Sequence, residues 1–419
     1  MEPRDIERCN EWWITGRVRR ELALKSRRMP FSSALSLLDK RQITILTGLR
    51  RVGKTTILYQ IIEELLKNQS EKNILYYSFE DKGERVKDVL EIYERNILRK
   101  PIYEAGKVYI FLDEVQYSPD WVSTVKRFYD LYPNIKFYLS GSSSLLLSKS
   151  ALEALAGRFF FVEVYPLTFR EFLQLRGINV KEPNSMLEPY FSDYMMKAGF
   201  PEIVKWNDSK LIRDYIVNSI IERIILRDIP SLFGRKDPLT LEKVISSLVS
   251  RPGSLVNLYT ISKDFGISRI TASRYLQHLE TTMLIRSLAN YRPSTSSSSR
   301  KLKKYYPATT SLIFALSEEK FQNDRGSVLE TYVVNSLGAK NFYRRGNREI
   351  DALLMNGRTI AVEVKLGFSQ RDAKMLFRLS REVNAERSVL VTESETGSAN
   401  GVDIIPAYAL EWSLAERRD

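Results

Sequence analysis

Two residue types that build many protein metal sites, cysteine and histidine, are almost missing from this sequence. Its 419 residues contain one cysteine, Cys9, and one histidine, His278. A single cysteine excludes an intramolecular disulfide and a cysteine metal cluster. One histidine almost excludes zinc sites and histidine-based catalysis, so we expect neither zinc nor haem. Any chemistry is therefore expected to use carboxylates, lysines, hydroxyls and a hard cation such as Mg²⁺.

Long apolar stretches are lacking as well. No run reaches the roughly 18 apolar residues that a membrane-spanning helix needs, and residues 1–5 do not show the basic-then-apolar pattern of a secretory signal. We therefore expect a cytoplasmic protein without a membrane partner. The 43% hydrophobic and 27% charged residues are typical of a folded globular chain. The net charge of +13 favours a polyanionic partner, although basic surfaces also occur without one.

One stretch predicts nucleotide binding. An apolar run at residues 43–47 precedes it, and apolar positions at helical spacing follow it at residues 57–62. In this order of strand, loop and helix, the pattern G-x-x-x-x-G-K-[ST] lets backbone N–H groups surround a triphosphate. Lys54 is expected to reach the β- and γ-phosphates of ATP and Thr55 to bind Mg²⁺, with a chance glycine-rich turn as the alternative. The predicted ATP-binding residues are Gly48, Leu49, Arg50, Arg51, Val52, Gly53, Lys54, Thr55 and Thr56.

Polar side chains also end two later strand-like runs. Asp113 and Glu114 follow the run at residues 108–112, and Ser142 follows the run at residues 135–139. Buried parallel strands deliver such groups to the carboxyl edge of a sheet, beside the γ-phosphate. Asp113 is predicted to hold Mg²⁺, directly or through water, and Glu114 to orient or deprotonate the attacking water. Ser142 is predicted to sense the γ-phosphate or hold that water. The alternatives are acids that merely cap a strand and a serine that caps a helix.

These features resemble a prokaryotic group of AAA-type ATPases that includes archaeal P-loop proteins with a winged-helix domain and, often, a C-terminal nuclease-like domain. The resemblance covers nearly the whole chain and rests on the segments 48–55, 79–81, 112–116, 140–142, 156–158 and 164–172. It implies that Arg158 is a lid or trans-acting arginine, and hence that a homo-oligomer is one expected arrangement. From the sequence alone, Arg158 is equally well explained as a surface arginine after a glycine helix stop.

A later segment has the pattern of a helix-turn-helix. Residues 258–276 predict two helices separated by a turn at Gly266, with Thr260 and Ser268 as N-caps. The second helix is expected to bury Ile270, Tyr275, Leu276 and Leu279, with His278 as a partly buried packing residue. Strand-like runs then bracket a serine run at residues 296–299, which is typical of the hairpin wing of a winged helix.

The same segment is strongly basic. Residues 251–306 contain ten lysines or arginines against two acids, which favours contact with phosphates. DNA is therefore the predicted partner, and a protein-docking winged helix is the alternative. The predicted DNA contacts are Arg269, Thr271, Arg274, Gln277, Arg300, Lys301, Lys303 and Lys304.

A second group of acids lies in the C-terminal part of the chain. Glu330 is on a predicted helix, Asp351 on a predicted strand, and Glu363 and Lys365 alternate on the next strand. Two carboxylates and a lysine on adjacent strands can hold Mg²⁺ and activate water against a phosphodiester. These residues resemble the PD-(D/E)xK nuclease superfamily, which implies Asp351 and Glu363 as Mg²⁺ ligands and Glu330 as the helix acid. An exposed charged strand face, or a retained fold without activity, is the alternative.

The expected fold is α/β and multidomain. It combines a P-loop NTPase core of AAA type with a helical lid, a winged helix-turn-helix and a C-terminal α/β restriction-endonuclease-like domain. The expected boundaries are 1–40 for a helical lead-in that packs its tryptophans on the core, 41–168 for the core, 169–240 for the lid, 241–308 for the winged helix and 309–419 for the nuclease-like domain. The predicted function is an ATP- and Mg²⁺-dependent ATPase that binds DNA and repositions these domains. A nucleotide-switched docking module with an inactive nuclease fold is the alternative.

Overall fold

The computed structural model describes residues 2–80, 83–142, 153–234, 237–292 and 303–414. The chain divides into two compact units, Met1–Tyr165 and Pro166–Asp419. The predicted end of the core at residue 168 lies close to this division, whereas the boundaries predicted after residues 40, 240 and 308 fall inside the units. None of the helices in the described ranges combines the length and the apolarity that a membrane crossing requires.

A parallel sheet of five strands forms the centre of the first unit. Its strands are β1 (Ile43–Gly48), β2 (Ile74–Ser78), β3 (Val108–Asp113), β4 (Ile135–Ser142) and β5 (Phe159–Glu163). They pair in the order β2-β3-β4-β1-β5, and every pairing is parallel. The apolar runs β1, β3 and β4 are buried along their whole length, as expected of central strands in a parallel sheet. Their carboxyl ends therefore lie at one edge.

Four helices precede β1, and three helices lie between strands of the sheet. They are α1 (Pro3–Cys9), α2 (Trp12–Thr15), α3 (Arg20–Ala23), α4 (Met29–Ser36), α5 (Lys54–Leu65), α6 (Val86–Ile92) and α7 (Trp121–Leu131).

The N-terminal lead-in covers the outer edge of β2. The indole N–H groups of Trp12 and Trp13 donate to the carbonyl oxygen of Ile74 at 3.1 and 2.8 Å. The Asn10 side chain bonds both the N–H and the C=O of Tyr76, at 2.6 and 2.8 Å. Because an uncovered strand edge leaves backbone groups unpaired, these contacts complete the sheet. The prediction that the tryptophans pack on the core is confirmed.

The second unit begins with the helices predicted for the lid. Its helices are α8 (Phe169–Leu175), α9 (Glu188–Lys197), α10 (Ser209–Ile216), α11 (Ile229–Phe233), α12 (Pro238–Val249), α13 (Leu258–Asp264), α14 (Arg269–Thr281), α15 (Thr310–Leu316), α16 (Glu318–Asn323), α17 (Arg325–Leu337), α18 (Gln370–Glu382) and α19 (Leu410–Ser413). The start of α8 is held by a Thr168–Glu171 capping box and by Glu411, whose carboxylate accepts from the N–H groups of Phe169 and Arg170, both at 2.9 Å.

One mixed sheet of nine strands spans most of the second unit. Its strands are β6 (Leu255–Val256), β7 (Ile285–Asn290), β8 (Lys303–Pro307), β9 (Asn341–Arg345), β10 (Arg348–Asn356), β11 (Arg358–Val364), β12 (Arg387–Thr392), β13 (Gly397–Ala399) and β14 (Val402–Pro406). They pair in the order β13-β14-β12-β11-β10-β9-β7-β8-β6.

The predicted wing and the predicted nuclease-like strands therefore share a sheet. They join where β7 pairs in parallel with β9, with Ala289 opposite Asn341 and Asn290 opposite Phe342. The domain boundary predicted after residue 308 therefore does not separate two sheets. If the two parts were separated, β7 and β9 would each have an unpaired edge.

Candidate functional site

The predicted phosphate loop joins β1 to α5. Gly48 ends β1, and a Cβ atom added there would lie 2.2 Å from the carbonyl oxygen of Val164, so only glycine fits. Gly53 precedes the first residue of α5 with φ of 96°, which glycine adopts without strain. Arg51, between them, also has a positive φ of 65°. The residues predicted from Gly48 to Thr56 thus form the loop and the first turn of a helix, as the sequence indicates.

Lys54 lies inside this loop. Its side chain is buried, and its ammonium donates to the carbonyl oxygens of Gly48 and Leu49 at 3.1 and 3.0 Å. The loop backbone therefore already holds a cation near the N-terminus of α5, where the helix dipole and free N–H groups favour an anion. This combination suits a polyphosphate.

The Asp113 carboxylate lies beside the loop at the end of β3. Its Oδ2 accepts hydrogen bonds from the Thr55 hydroxyl at 2.6 Å and from the Tyr76 hydroxyl at 3.0 Å. Its other oxygen accepts from the Ser140 hydroxyl and from the N–H of Glu114 at 3.1 Å. A carboxylate and a hydroxyl in contact are hard oxygen donors, so Thr55 and Asp113 fit Mg²⁺ at the place that the sequence predicts.

Glu114 follows at the same edge in a strained backbone conformation. Its φ and ψ are 52° and 42°, in the left-handed region that non-glycine residues seldom occupy. The Gln116 side chain donates to its carboxylate at 2.5 Å. Burial raises the pKa of Glu114, while the nearby Lys54 ammonium acts to lower it. Strained backbone conformations of this kind are common at functional sites.

Two arginines also shape the loop, and the sequence does not identify their roles. The buried Arg28 donates to the carbonyl oxygens of Val52 and Tyr165 at 2.6 and 2.8 Å. Arg50 forms an ion pair with Glu80, which follows β2. Arg28 of the N-terminal lead-in is thus an internal brace of the loop, whereas other basic residues of the lead-in, Arg17, Arg19, Arg20, Lys25 and Arg27, are exposed.

The other two residues predicted for ATP hydrolysis lie at opposite edges of the sheet. Ser142 ends β4 directly opposite Gly48 in the strand register, at the phosphate edge. Arg158 instead precedes β5, where its carbonyl accepts from the N–H of Ile43 at the amino edge, and its guanidinium pairs with Asp130 at 2.9 Å. The prediction that Arg158 acts as a lid arginine on the nucleotide of its own chain is therefore wrong, because the length of the sheet separates Arg158 from the phosphate loop. A role toward a neighbouring subunit stays a prediction.

The helix-turn-helix consists of α13 and α14. Gly266 in the turn has φ of 64°, and Ser268 caps α14 as predicted, but Asn257 rather than Thr260 caps α13. Ile270, predicted for the core, is 66% exposed, whereas Tyr275, Leu276, His278 and Leu279 are buried.

Helix α14 carries four of the eight predicted DNA contacts. Arg269, Arg274 and Gln277 are exposed, and Arg269 stacks over the Tyr259 ring at 5.0 Å. The Thr271 hydroxyl lies 2.9 Å from that of Ser268 and is partly buried. The helix offers the cations and amide that nucleic-acid contacts use.

The predicted wing contacts divide into three groups. Arg300 and Lys301, together with the serine run at 296–299, lie outside the described residues. Lys303 is partly exposed and donates to the Ser287 hydroxyl at 3.2 Å. Lys304 is buried, so its assignment as a DNA contact is wrong. Its side chain points instead into the carboxylates of the C-terminal part.

A cluster of three carboxylates, from Glu330 on α17 and from Glu349 and Asp351 on β10, surrounds the Lys304 ammonium. Nζ lies 3.0 Å from Glu330 and 3.6 Å from Asp351 and also pairs with Glu349. Each carboxylate offers an oxygen within 4.8 Å of the others. Burial raises the pKa of Glu330 to about 7, and Asp351 adds to this shift. The sequence missed Glu349 and the lysine, because neither belongs to the E-x-K pattern.

Glu363 and Lys365 lie next to this carboxylate cluster. The Lys365 ammonium donates to Glu363 Oε1 at 2.7 Å, while Glu363 Oε2 is buried and has no hydrogen-bond partner in the described ranges. Burial and then Asp351 raise the pKa of Glu363 to about 8. A register shift in β10 re-aims Asp351, whose Oδ2 accepts from the N–H of Val364 at 2.9 Å. The orphaned oxygen fits a metal ligand, but the Lys304 ammonium stands among the other carboxylates.

Comparison with known proteins supports the interpretation of the phosphate loop in the first unit. Residues 40–173 match the family of AAA domains AAA_14, and residues 188–323 match a domain of unknown function, DUF8612. Together with the parallel sheet and the phosphate loop, this match defines an AAA-type P-loop ATPase domain. The second match spans the boundaries predicted after residues 240 and 308.

Relatives cover most of the chain. An uncharacterized Haemophilus influenzae protein is 30% identical over 276 residues, 64% of this chain and 68% of that protein. This chain belongs to the same family. An uncharacterized Methanocaldococcus jannaschii protein is 28% identical over 362 residues, 82% of this chain and 79% of that protein. The solved structure of AMPPCP-bound DnaA from Aquifex aeolicus covers 70% of this chain and 92% of its own at 15% identity, but its TM-score of 0.30 supports no conclusion.

Proposed function

We propose that the first unit binds ATP with Mg²⁺ and hydrolyses it. The observation that carries the proposal is the 2.6 Å contact between Thr55 and Asp113 beside the buried Lys54, because a hydroxyl, a carboxylate and an ammonium meet at one helix N-terminus. Thr55 and Asp113 would hold Mg²⁺, which when bound neutralises charge on the phosphates. Lys54 would bind the β- and γ-phosphates, and Glu114 would orient a water and accept its proton.

The direct test is release of inorganic phosphate from ATP by the purified chain, with Mg²⁺ and with chelator. We expect turnover only with Mg²⁺. A chain that binds ATP and releases no phosphate under either condition contradicts hydrolysis and supports a nucleotide-switched module.

We further propose that the outward face of α14 binds DNA. Its exposed Arg269 and Arg274 suit phosphate contacts, and Gln277 suits a base edge. The partly exposed Lys303 on β8 adds a further cation. The rival role for this face is protein docking, for which the exposed Ile270 is the specific observation.

DNA affinity is expected to fall steeply with salt concentration, since phosphate contacts release counterions. The double variant Arg269→Ala and Arg274→Ala should reduce the slope of log affinity against log salt by about 2. Arg381→Ala, which removes an exposed arginine from α18, is the matched control and should leave the slope unchanged. Fluorescence anisotropy with labelled duplex DNA at several salt concentrations measures the slope. A slope that is the same in the double variant and in wild type contradicts DNA binding by α14.

For the C-terminal part we propose a nuclease-like site in which Asp351 and Glu363 hold Mg²⁺ and Lys365 assists the attack of water on a phosphodiester. The proposal is supported by the buried, unpaired Oε2 of Glu363 and by the 2.7 Å contact between Lys365 and Glu363. The presence of Lys304 among the neighbouring carboxylates favours the second candidate, a docking fold without cleavage.

Cleavage of plasmid DNA distinguishes these two candidates. If the site is active, Mg²⁺ or Mn²⁺ should support nicking, and Asp351→Ala or Lys365→Ala should abolish it without changing ATP turnover. Glu386→Ala, which removes an exposed carboxylate near β11, serves as control and should nick normally. Intact plasmid with every metal would exclude the nuclease and leave the docking role.

A further inference from the structure

Lys304 is an unusual lysine for a wing strand. It lies on β8, within the segment whose excess of positive charge favours DNA, yet its side chain is 5% exposed. Its Nζ lies 5.5 Å from the centre of the Phe342 ring on β9 as the side chain reaches toward the carboxylate cluster. The neighbouring Lys303 points elsewhere, to Ser287. One lysine of this pair is thus turned inward and is unavailable to an outside partner.

The carboxylate cluster needs a nearby positive charge if the folded chain is to be stable. Glu330 and Glu349 are partly buried and Asp351 is buried, and carboxylates this close repel one another unless a cation lies among them. The Lys304 ammonium is within 4 Å of all three of them, and its own pKa is raised by their charges although burial acts to lower it. Arg344 reaches only Glu349, at 3.7 Å, and Lys365 is engaged with Glu363. Lys304 is therefore the central counter-ion in the described part of this site.

We propose that Lys304 is an internal counter-ion that closes the carboxylate cluster to divalent cations, and that Mg²⁺ or Mn²⁺ enters only when this ammonium withdraws. The Lys304 ammonium occupies the central position that a divalent cation would take among these three carboxylates, and the two cations would repel each other there. The inference rests on the proposed nuclease-like site, whose Asp351 and Glu330 belong to the cluster. In addition, Lys304 on β8 would control the entry of the cation, and Glu349 would be one of its ligands.

β8 is a strand from which such a side chain can be withdrawn. On one side it is paired along its length with β7, but on the other it is paired only with the two-residue strand β6, through Leu255 and Val256. The Lys304 residue itself lies opposite Leu255 in that short pairing. A contact that bends this edge would change the position of the ammonium while the rest of the sheet stays paired.

The test is Mn²⁺ binding to the full chain without nucleotide, measured from the electron paramagnetic resonance signal of free Mn²⁺. Lys304→Met should gain one Mn²⁺ site that is roughly tenfold tighter than any such site in wild type. Lys303→Met is the matched control, since it removes the adjacent lysine without touching the cluster, and it should bind as wild type does. Adding Asp351→Asn to Lys304→Met should remove the gained site.

A second measurement covers the case in which Lys304→Met folds poorly because its carboxylates have lost their counter-ion. The double variant Lys304→Met and Glu349→Gln removes one charge of each sign and keeps two ligands. Saturating Mn²⁺ should raise the thermal unfolding temperature of this double variant by roughly 5 °C. In wild type, Mn²⁺ should not bind at this cluster and should not raise the unfolding temperature in this way.

Two results would overturn the inference. The first is an Asp351-dependent Mn²⁺ site in wild type as tight as that in Lys304→Met. The second is the absence of any gained site in both Lys304 variants. DNA cleavage plays no part in either measurement, so an inactive nuclease leaves these outcomes unaffected, and an active wild-type nuclease can coexist with a failed Lys304 inference.

Discussion

Lys54→Ala is expected to weaken ATP binding by roughly a hundredfold or more, the loss of about two charge-assisted hydrogen bonds to phosphate. The reason is geometric, because the Lys54 ammonium is held inside the phosphate loop by the carbonyls of Gly48 and Leu49. From that position it can exchange these carbonyls for phosphate oxygens with little movement. Isothermal titration with ATP and Mg²⁺ measures the change.

The control for this prediction is a lysine near the other end of α5. Lys67→Ala removes an exposed lysine just after α5, where it pairs with Glu64 at 2.8 Å, and should bind ATP as wild type does. Circular dichroism must show both variants folded. Equal ATP affinity in wild type and a folded Lys54→Ala would contradict the assignment of this loop to the triphosphate.

Glu114→Gln is expected to lower the turnover number for ATP by roughly 10²–10⁴-fold, the range typical for the loss of a general base. ATP affinity should stay within about twofold of wild type, because glutamine keeps the size of the side chain and one acceptor oxygen. It cannot accept a proton from water, so only the chemical step should suffer. Single-turnover measurements separate this step from nucleotide binding and product release.

Glu163→Gln provides the comparison for this variant. Glu163 ends the edge strand β5, which pairs with β1, and is exposed, so its replacement by an amide should leave turnover unchanged. If Glu114→Gln turned over ATP at the wild-type rate, another group would have to orient and deprotonate the water, and the assignment of Glu114 would fail.

Local sequence was sufficient to predict the strand, loop and helix around the proposed phosphate site. A buried strand, a loop with glycine at two fixed positions and an amphipathic helix all follow from spacing over some twenty residues, and the acids that end β3 follow from the same strand logic. The braces of that site were not predictable in this way. Arg28 and Tyr76 contact it only after the chain has folded, and a single sequence carries no signal that distinguishes Arg28 from the exposed arginines around it.

The errors in the second unit have physical causes. Ile270 was expected in the core, but Ala272, Tyr275, Leu276 and Leu279 already define the buried stripe of α14, and a residue two positions before Ala272 lies on the opposite side. Counting charges along residues 251–306 treats every lysine as solvated. A count of charges could therefore not reveal that Lys304 forms ion pairs with acids from later segments of the chain.

The pairing of β7 with β9 also limits how ATP turnover could act on the rest of the molecule. The N–H of Ala289 donates to Lys340 at 3.0 Å and that of Tyr291 to Phe342 at 2.7 Å, so separating the wing from the carboxylate strands would break backbone hydrogen bonds. The sequence predicts that nucleotide-driven motion repositions the winged helix and the nuclease-like domain. Because the two parts share one hydrogen-bonded sheet, we expect such motion to move them together, and communication between them to run through side chains such as that of Lys304.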